Sequence, residues 1–441
     1  MTSGKNIITF VFITLISVGF VFIPIESLSI AGRRTLGIFV FAALCWVTEV
    51  IPIAATGGLT VGLLALFLPP VLHEVTMTTF YSAFAAPVVI LFAGGYFLAA
   101  AMQRYNMDAI FAGWILRRTG TKPRLVLAGM IFATAFLSMW MSNTATTALM
   151  IAVALPIVKN LGEDPFGKAL MLGIPFAANV GGIATPIGTP PNAIAIQNLA
   201  QAGFKISFLK WFSWGFPISI ILTLFIWWLL QIMFSPKTDK IQMKSEQIKF
   251  RPQHKIVIVV FVITALLWFT EMFHGISTSL VAMIPPAVFL SLGILNREDM
   301  KTSIGWDVLI LVAGGIALGT AMKVSGLSTW VMEICKLQSL PSLAIIIIFG
   351  FLALILSSFM SNTAAANLLV PLGIAVGTSV QGVGVMIALC ASCAMIFPVS
   401  TPPNAIAYGS GMIRTSDMSR SGVIIAIVSI LVNFMLVNLL I

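Results

Sequence analysis

Charged residues are scarce in this chain: they make up 9% of the 441 residues, while 59% are hydrophobic. A soluble domain of this length needs far more charge to cover its surface, so a soluble fold is excluded and lipid is the main solvent. A membrane-spanning helix needs about 20 apolar residues, and such stretches recur along nearly the whole chain. Residues 7–25 form the first, and they are predicted to be a retained span because no small-residue cleavage site follows them.

Cysteine and histidine are also rare, with four and three residues. Cys390 and Cys393 have the spacing of a redox or metal motif, but they lie in an apolar run with no second pair and no nearby histidine, so we expect packing residues. The His-Glu, paired Asp or Ser–His arrangements of intramembrane enzymes are also absent from the sequence. The sequence therefore predicts neither an enzyme nor an organic cofactor.

The formal net charge of +10 would fit nucleic-acid binding in a soluble protein. In membrane proteins, however, basic residues collect in cytoplasmic loops, and we expect no nucleic-acid partner. Two clusters are predicted to face the cytoplasm: Lys237, Lys240, Lys244, Lys249, Arg251 and Lys255 within a loop at 235–255, and Arg104, Arg117, Arg118, Lys122 and Arg124.

Four motifs occur twice, in the same order and 212 to 222 residues apart. Trp-x-Thr-Glu stands at 46–49 and 268–271, and Ala-Gly-Gly at 93–95 and 313–315. Ser-Asn-Thr-Ala stands at 142–145 and 361–364, and Thr-Pro-Pro-Asn-Ala-Ile-Ala at 189–195 and 401–407. The chain is therefore predicted to be a duplication, 36–234 and 256–441, with residues 1–35 as one extra helix in front.

Each copy is predicted to cross the membrane five times, which gives about eleven spans in all. The first copy has spans near 36–52, 54–69, 87–103, 168–203 and 210–234, and the second near 256–273, 278–294, 306–323, 383–411 and 420–440. The segments 124–158 and 340–374 are interrupted by Ser-Asn-Thr and are predicted to be re-entrant hairpins. An odd number of crossings inverts the second copy. With the amino terminus inside, 18 basic residues face the cytoplasm and 6 face outside, as the positive-inside rule favours.

The two Thr-Pro-Pro-Asn segments are predicted to break their helices at membrane depth. Two adjacent prolines remove two amide donors and force the preceding residue out of helical geometry. Unwound backbone in a membrane is tolerated only where it is buried in protein or lines a cavity. Its carbonyl groups and the ends of the half-helices then become ligands for ions and anions.

The hairpin tips supply complementary side chains. Ser142, Asn143 and Thr144, like Ser361, Asn362 and Thr363, offer two hydroxyls and an amide that can face either a cation or a carboxylate. Ser138 and Ser357 lie four residues earlier, on the same helical face as Ser142 and Ser361. A single Ser-Asn-Thr would indicate helix-packing polar residues, whereas two copies that are each matched to a broken segment indicate a binding site.

No Lys, Arg, His, Asp or Glu lies in either tip or either broken segment. Neutral donors at helix N-termini suit an anion, but a dianion there would lack full charge compensation unless cations bind with it. In secondary transporters with discontinuous helices, sodium is bound by neutral oxygens and backbone carbonyls. A proton relay would instead need acidic or histidine side chains. Sodium is therefore the expected co-substrate. Glu49 and Glu271 stand near helix ends, where a structural or capping role competes with one in carrying protons or cations.

These paired motifs resemble the divalent anion/sodium symporter family over nearly the whole chain. The resemblance implies an all-α polytopic membrane protein with eleven spans, two re-entrant hairpins, a homodimer in a bacterial inner (plasma) membrane and an elevator motion. It also implies cotransported sodium and a C4-dicarboxylate substrate such as succinate, malate or fumarate. The alternatives that remain are a sodium-independent exchanger, a carrier of sulfate, a proton-driven relative and a channel.

The resemblance further implies a residue for each role. One sodium site would use Ser138, Ser142, Asn143 and the Gly188 backbone, and the other Ser357, Ser361, Asn362 and the Ser400 backbone. The substrate carboxylates would meet Asn143, Thr144, Thr189 and Pro190 on one side and Asn362, Thr363, Thr401 and Pro402 on the other. Family members often have Thr or Ala in place of Ser357 and Ser400, and both changes keep an oxygen available through a hydroxyl or the backbone.

Overall fold

The computed structural model describes residues 4–241, 250–335, 340–376 and 379–440, and helices are the regular elements throughout these ranges. The side chain of Cys335 and the residues Lys244, Glu246, Lys249 and Lys336 lie outside the described part. The predicted loop at 235–255 is therefore described only at its two ends.

The helices of the first half follow the predicted order. The extra helix is α1, Gly4–Phe22. It is followed by α2 Ile30–Thr48, α3 Ile53–Phe67, α4 Met77–Tyr81, α5 Pro87–Arg104, α6 Met107–Thr119, α7 Pro123–Ser138, α8 Asn143–Leu161, α9 Phe166–Gly182, α10 Pro190–Gln201 and α11 Phe208–Met233, with short 3₁₀ turns at Pro69–Val71 and Ser82–Ala85.

The second half presents its long helices in the same sequence. Its helices are α12 Pro252–Phe269, α13 Glu271–His274, α14 Thr278–Val281, α15 Ile284–Ser291, α16 Arg297–Thr302, α17 Trp306–Val324, α18 Leu327–Cys335, α19 Ser342–Phe359, α20 Asn362–Val376, α21 Val380–Ser392, α22 Pro402–Gly409 and α23 Thr415–Leu440, with a 3₁₀ turn at Pro398–Ser400. Each predicted hairpin is a helix pair, α7–α8 or α19–α20, and each predicted broken span is a pair of shorter helices, α9–α10 or α21–α22.

Nine helical segments within the described ranges are long and apolar enough to cross a membrane. Two of them, Asn143–Leu161 and Ser342–Phe359, are arms of the predicted hairpins, whereas the broken helices are too short to qualify. Length and composition therefore establish a multi-pass membrane protein. The count of eleven spans, the re-entrant path of the hairpins and the inversion of the copies stay predictions.

The repeated Trp-x-Thr-Glu motif joins the end of one helix to the start of the next. The Trp46 indole donates to the Ile53 carbonyl at 3.2 Å, and the Trp268 indole donates to the Thr278 carbonyl at 3.0 Å. Glu49 is the C-cap residue of α2, with a left-handed φ of 47°, and Glu271 opens α13. The motif thus fixes corresponding helix junctions in the two halves.

The repeated Gly-Gly pairs permit close helix approach. A Cβ atom at Gly94 would overlap the Ala282 carbonyl, and one at Gly314 would lie 2.5 Å from the Gly57 Cα atom. Backbones that approach this closely are typical of small residues in membrane helices.

The helices form two groups by their contacts. In one group the hairpins and broken helices pack together with α11 and α23; in the other, α2, α3, α5, α12, α14, α15 and α17 pack together. Helices α10 and α20 of the first group lie against α17 of the second. The Ser-Asn-Thr and Thr-Pro-Pro-Asn motifs all belong to the first group.

Candidate functional site

The tip of the first hairpin is the N-terminus of α8. Helix α7 ends at Ser138, and Ser142 caps α8 by accepting a hydrogen bond from the Ala145 amide at 3.2 Å. Asn143 and Thr144 therefore lie in the first helical turn, where backbone amides lack helical partners and the helix dipole is positive.

The second hairpin repeats this arrangement. Helix α19 ends at Phe359, and the Ser361 hydroxyl accepts from the Ala364 amide at 3.2 Å. Asn362 and Thr363 then occupy the first turn of α20. The two Ser-Asn-Thr motifs are thus two capped helix N-termini of the same design.

Both predicted helix breaks are present where the prolines stand. Between α9 and α10 the residues 183–189 are non-helical, and Thr189 is extended with φ −148° and ψ 143°. Thr401 has nearly the same angles, −144° and 148°, immediately before α22. In each copy the two prolines begin the second half-helix, where a missing amide hydrogen removes no helical hydrogen bond.

Four oxygen-bearing groups converge behind the first hairpin tip. The Ser138 hydroxyl lies 2.6 Å from the terminal amide atom of Asn143 and 2.8 Å from the Ala178 carbonyl. The same Asn143 atom lies 3.2 Å from the Ala178 carbonyl and 3.3 Å from the Gly188 carbonyl. The structure therefore brings together Ser138, Asn143 and Gly188, three of the four residues predicted for one site, while Ser142 caps the helix beside them.

The orientation of the Asn143 amide decides what this cluster can bind. If its nitrogen faces the cluster, it donates to Ser138, Ala178 and Gly188. If its oxygen faces the cluster, four oxygens converge with only the Ser138 hydroxyl as a donor. Oxygen-rich clusters that are short of protons suit a cation, whereas the flipped amide satisfies the same carbonyls without one.

The second hairpin tip has the same core of contacts. The Ser357 hydroxyl lies 2.7 Å from the Asn362 amide oxygen and 2.6 Å from the Ala391 carbonyl. Ser400, at the position of Gly188, is buried and donates its hydroxyl to the Ser358 carbonyl at 2.9 Å. Ser357, Asn362 and Ser400 therefore lie around one tip, next to the capping Ser361.

The residues predicted to meet the substrate differ in exposure. Thr144 and Pro402 are exposed, Pro190 is half-buried, and Thr189, Thr363 and Thr401 are buried. Helix α22 packs against α8, and α10 packs against α20. The helix that follows each hairpin tip thus contacts a half-helix of the other copy, the one that begins after the break.

Asn179 bridges the two halves and was missed from the sequence. Its side-chain nitrogen donates to the Thr401 hydroxyl at 3.2 Å and to the Asn404 amide oxygen at 3.3 Å. All three residues are buried. The end of α9 is therefore attached to the break of the second copy. Ala178 of the first copy corresponds to Ala391 of the second, so Asn179 corresponds to Ser392. Because the two residues differ, Asn179 belongs to no repeated motif that could have marked it.

The asparagine of each Thr-Pro-Pro-Asn segment holds its break in place. Asn192 donates to the carbonyls of Gly182 and Thr185 at 3.0 and 2.8 Å. Asn404 donates to the Phe397 carbonyl at 3.0 Å. These side chains satisfy backbone carbonyls that the unwound segments leave without helical partners. The sequence motif contained them, but their partners could not be inferred from it.

The site is built from neutral groups. Within the described ranges, no group of three His, Cys, Asp or Glu side chains is arranged to hold a metal ion. The ligands available at the tips are hydroxyls, amides, carbonyls and helix N-termini. Such a set can hold a weakly bound monovalent cation and an anion side by side.

Helices long enough to cross a membrane surround two paired polar sites, each at a break between two shorter helices, and this arrangement is that of a polytopic membrane transporter. The sequence model of the family described as "Sodium:sulfate symporter transmembrane region" matches residues 4–440. The chain belongs to this family, which confirms the predicted divalent anion/sodium symporter relationship and a transporter rather than an enzyme.

Individual relatives agree with this assignment. The chain is similar to the "Sodium-dependent dicarboxylate transporter SdcS" of Staphylococcus saprophyticus, with 35% identity over 94% of this chain and 87% of the relative. It is 33% identical to the protein of the same name in Staphylococcus aureus strain USA300, over 93% of this chain and 86% of the relative. An "Uncharacterized transporter" of Haemophilus influenzae is 32% identical over 98% of this chain and 96% of its own length.

The fold is also similar to a solved structure. The crystal structure of the Alcanivorax borkumensis YdaH transporter matches with a TM-score of 0.61, covering 82% of this chain and 87% of that chain. At 14% sequence identity this likeness concerns the fold alone.

Proposed function

We propose that this protein is a symporter that couples uptake of a C4-dicarboxylate, such as succinate, malate or fumarate, to sodium. The proposal is supported by relatives of 33–35% identity that are named sodium-dependent dicarboxylate transporters. Sodium is then a cotransported ion and not a resident cofactor.

The observation that carries this proposal is the duplicated oxygen cluster. In each copy a serine hydroxyl joins the hairpin asparagine to a carbonyl of the neighbouring half-helix, Ala178 or Ala391. One sodium ion would bind Ser138, Ser142, Asn143 and the Gly188 carbonyl. The other would bind Ser357, Ser361, Asn362 and the Ser400 carbonyl.

The substrate carboxylates would lie on the exposed side of the same two tips. Their proposed contacts are Asn143, Thr144, Thr189, Pro190, Asn362, Thr363, Thr401 and Pro402. Helices α8, α10, α20 and α22 all begin at this site, and the positive ends of their dipoles favour an anion. Each carboxylate would be held without a formally charged side chain.

The two asparagines provide the coupling in this mechanism. When a sodium ion lies in the cluster, the amide oxygen of Asn143 faces the ion, and the amide nitrogen turns toward the substrate side. Without sodium, the nitrogen donates to the Ala178 and Gly188 carbonyls and is lost to the substrate. Sodium binding thereby prepares a donor for the carboxylate, and Asn362 acts in the same way in the second copy.

Translocation would be an elevator motion. The hairpins, the broken helices, α11 and α23 would move as one body against the other group of helices. The contact surface contains glycines: Gly319 faces the Asn198 amide, and Gly95 lies against Ile187. These glycines let the moving helices lie close to α5 and α17. The hydrogen bonds from Asn367 to the Leu311 carbonyl and from Gln201 to the Thr320 hydroxyl would break during the motion. We further propose a homodimer in a bacterial plasma membrane with the amino terminus in the cytoplasm.

The proposal is tested by uptake of labelled succinate into proteoliposomes of the purified protein. A sodium gradient should drive uptake, and replacing sodium by potassium should abolish it. Unchanged uptake in potassium would instead indicate a sodium-independent exchanger. Competition by sulfate but not by malate or fumarate would indicate a sulfate carrier.

Single substitutions test the site within the same assay. Asn143→Ala and Asn362→Ala should each abolish uptake without preventing membrane insertion, since each removes an ion contact and a carboxylate contact worth about 1–3 kcal/mol apiece. The control is Asn296→Ala, which removes an asparagine that caps the short helix α16 away from the tips. Uptake at the wild-type rate in both tip variants would contradict the site.

A further inference from the structure

An apolar cavity of about 520 Å³ lies between the extra helix α1 and the helices α2 and α3. Helix α1 contributes Phe10, Val18 and Phe22 to its wall, α2 contributes Phe41, and α3 contributes Leu63. The cavity is separate from the hairpin tips and the helix breaks. The proposed transport mechanism assigns it no role.

The hydroxyl groups in the cavity wall are already engaged. Thr14 donates to the Phe10 carbonyl at 2.9 Å, and Ser17 donates to the Ile13 carbonyl at 2.8 Å. Their hydroxyl hydrogens are therefore not available to a ligand. A polar occupant such as a dicarboxylate would lose its hydration here without replacement, so the wall favours an apolar occupant.

Arg34 is the charged residue of this wall and stands at one end of it. It lies in the second turn of α2, near the end of α1 at Phe22 and the end of α3 at Phe67, and its Nη1 atom donates to the Phe67 carbonyl at 2.6 Å. A guanidinium has five N–H donors, and this bond uses one. The remaining donors can bind an anionic group at the mouth of the cavity.

The length of the cavity matches one leaflet of a bilayer. Phe10 and Phe22 are twelve residues apart on α1, which corresponds to about 18 Å along a helix. Half of the hydrocarbon core of a bilayer is about 15 Å. An apolar groove of this length with a cation at its membrane-surface end has the dimensions of one phospholipid.

We propose that this cavity binds an anionic phospholipid, with the phosphate at Arg34 and one acyl chain along Phe22, Val18 and Phe10. The lipid fills the space between α1 and the first copy of the duplicated unit, and so attaches the extra helix to the rest of the chain. This site is independent of the transported ions and of the dicarboxylate.

Thermal unfolding of the purified protein in detergent tests this site. Added phosphatidylglycerol should raise the melting temperature of the wild type by about 3 °C at a hundredfold excess over its dissociation constant, because only the folded protein binds it. Phosphatidylcholine should raise it by less than half as much. Equal effects of the two lipids would overturn the proposal.

The matched variants are Arg34→Gln and Arg33→Gln. Loss of the Phe67 contact can lower the melting temperature of Arg34→Gln whatever the cavity binds, so the readout is the shift that phosphatidylglycerol causes in each variant. That shift should vanish in Arg34→Gln and persist in Arg33→Gln, because Arg33 does not line the cavity. Equal loss in both variants would assign the effect to general surface charge.

A third variant tests the apolar part while leaving Arg34 intact. Leu63→Trp fills the groove and should abolish the phosphatidylglycerol shift. Native mass spectrometry should detect a bound phospholipid on the wild type and none on this variant. Retention of the shift and of the bound lipid would overturn the proposal. So would a change from dimer to monomer in Arg34→Gln without any lipid effect, which would indicate that a second copy of the chain covers this face.

Discussion

Ser357 and Ser358 are neighbours in α19, yet their hydroxyls have different partners. The Ser357 hydroxyl reaches Asn362 and the Ala391 carbonyl, whereas the Ser358 hydroxyl donates to the Leu354 carbonyl within its own helix. Both residues are buried. Ser357 therefore belongs to the oxygen cluster, whereas the Ser358 side chain has a role in helix packing.

Ser357→Ala should weaken sodium activation of transport about tenfold, because a lost ligand of this kind is worth about 1–2 kcal/mol. Ser358→Ala should leave sodium activation unchanged, since its hydroxyl only supplements a helical carbonyl. The measurement is the sodium concentration that gives half-maximal succinate uptake. An equal effect of both substitutions would contradict the proposed ion site.

Many residues of the site could be predicted because its sequence motifs occur in both copies of the duplicated unit. Ser138 and Asn143 were marked by the repeated motifs and Gly188 was implied by the family resemblance, and the structure brings the three together. The Ala178 and Ala391 carbonyls could not be selected, because a backbone ligand leaves no trace in residue type. Asn179 was missed because the second copy has Ser392 at the corresponding position, so no repeated motif marks it.

Helices α3 and α17 approach each other closely, backbone to backbone. A Cβ atom at Gly57 would lie 2.9 Å from the Ile310 carbonyl and 3.0 Å from the Leu311 Cα atom. At the adjacent Gly58 the nearest atom is the Ile310 Cγ2 at 3.7 Å, an ordinary contact. Only one of these glycines is therefore required for the approach of the two helices.

Gly57→Ala should destabilise the protein by about 1–3 kcal/mol, since the backbone of α17 must move to admit the methyl group. Gly58→Ala should be neutral or slightly stabilising, because alanine favours a helix over glycine. Thermal unfolding of both purified variants in detergent provides the comparison. A lower melting temperature for Gly58→Ala than for Gly57→Ala would contradict the packing described.

The helix breaks were predicted from the Thr-Pro-Pro-Asn segments, and the second half-helices begin at Pro190 and Pro402. The helices α6 and α18 were not predicted. They have 13 and 9 residues and stand between a predicted span and a hairpin, so hydropathy over a window of spanning length cannot resolve them. Their position depends on packing against the hairpins, which follows from the assembled fold and not from local sequence.

For the whole molecule, the distribution of basic residues predicts which loops face the cytoplasm. Lys240 belongs to the cytoplasmic cluster, and Lys205 to the loop predicted outside. Both side chains are exposed, whereas Cys45, Cys390 and Cys393 are buried. Introduced cysteines at these two lysines can therefore report the orientation of the chain with little background from those three thiols.

A membrane-impermeant maleimide applied to intact cells should label Lys205→Cys. It should label Lys240→Cys only after the membrane is permeabilised. The reversed pattern would place the amino terminus outside, and equal labelling of both would contradict the assigned spans. The two positions lie on either side of α11, so the same experiment checks that this helix crosses the membrane.

The bond from Asn179 to Thr401 and Asn404 has a consequence for how the two copies behave together. Because these hydrogen bonds join the two copies, a movement of one helix break affects the other. If the breaks bind the cargo as proposed, occupancy of one half alters the free energy of loading the other by thermodynamic linkage. Where this coupling is favourable, sodium and the dicarboxylate bind together more tightly than either binds alone.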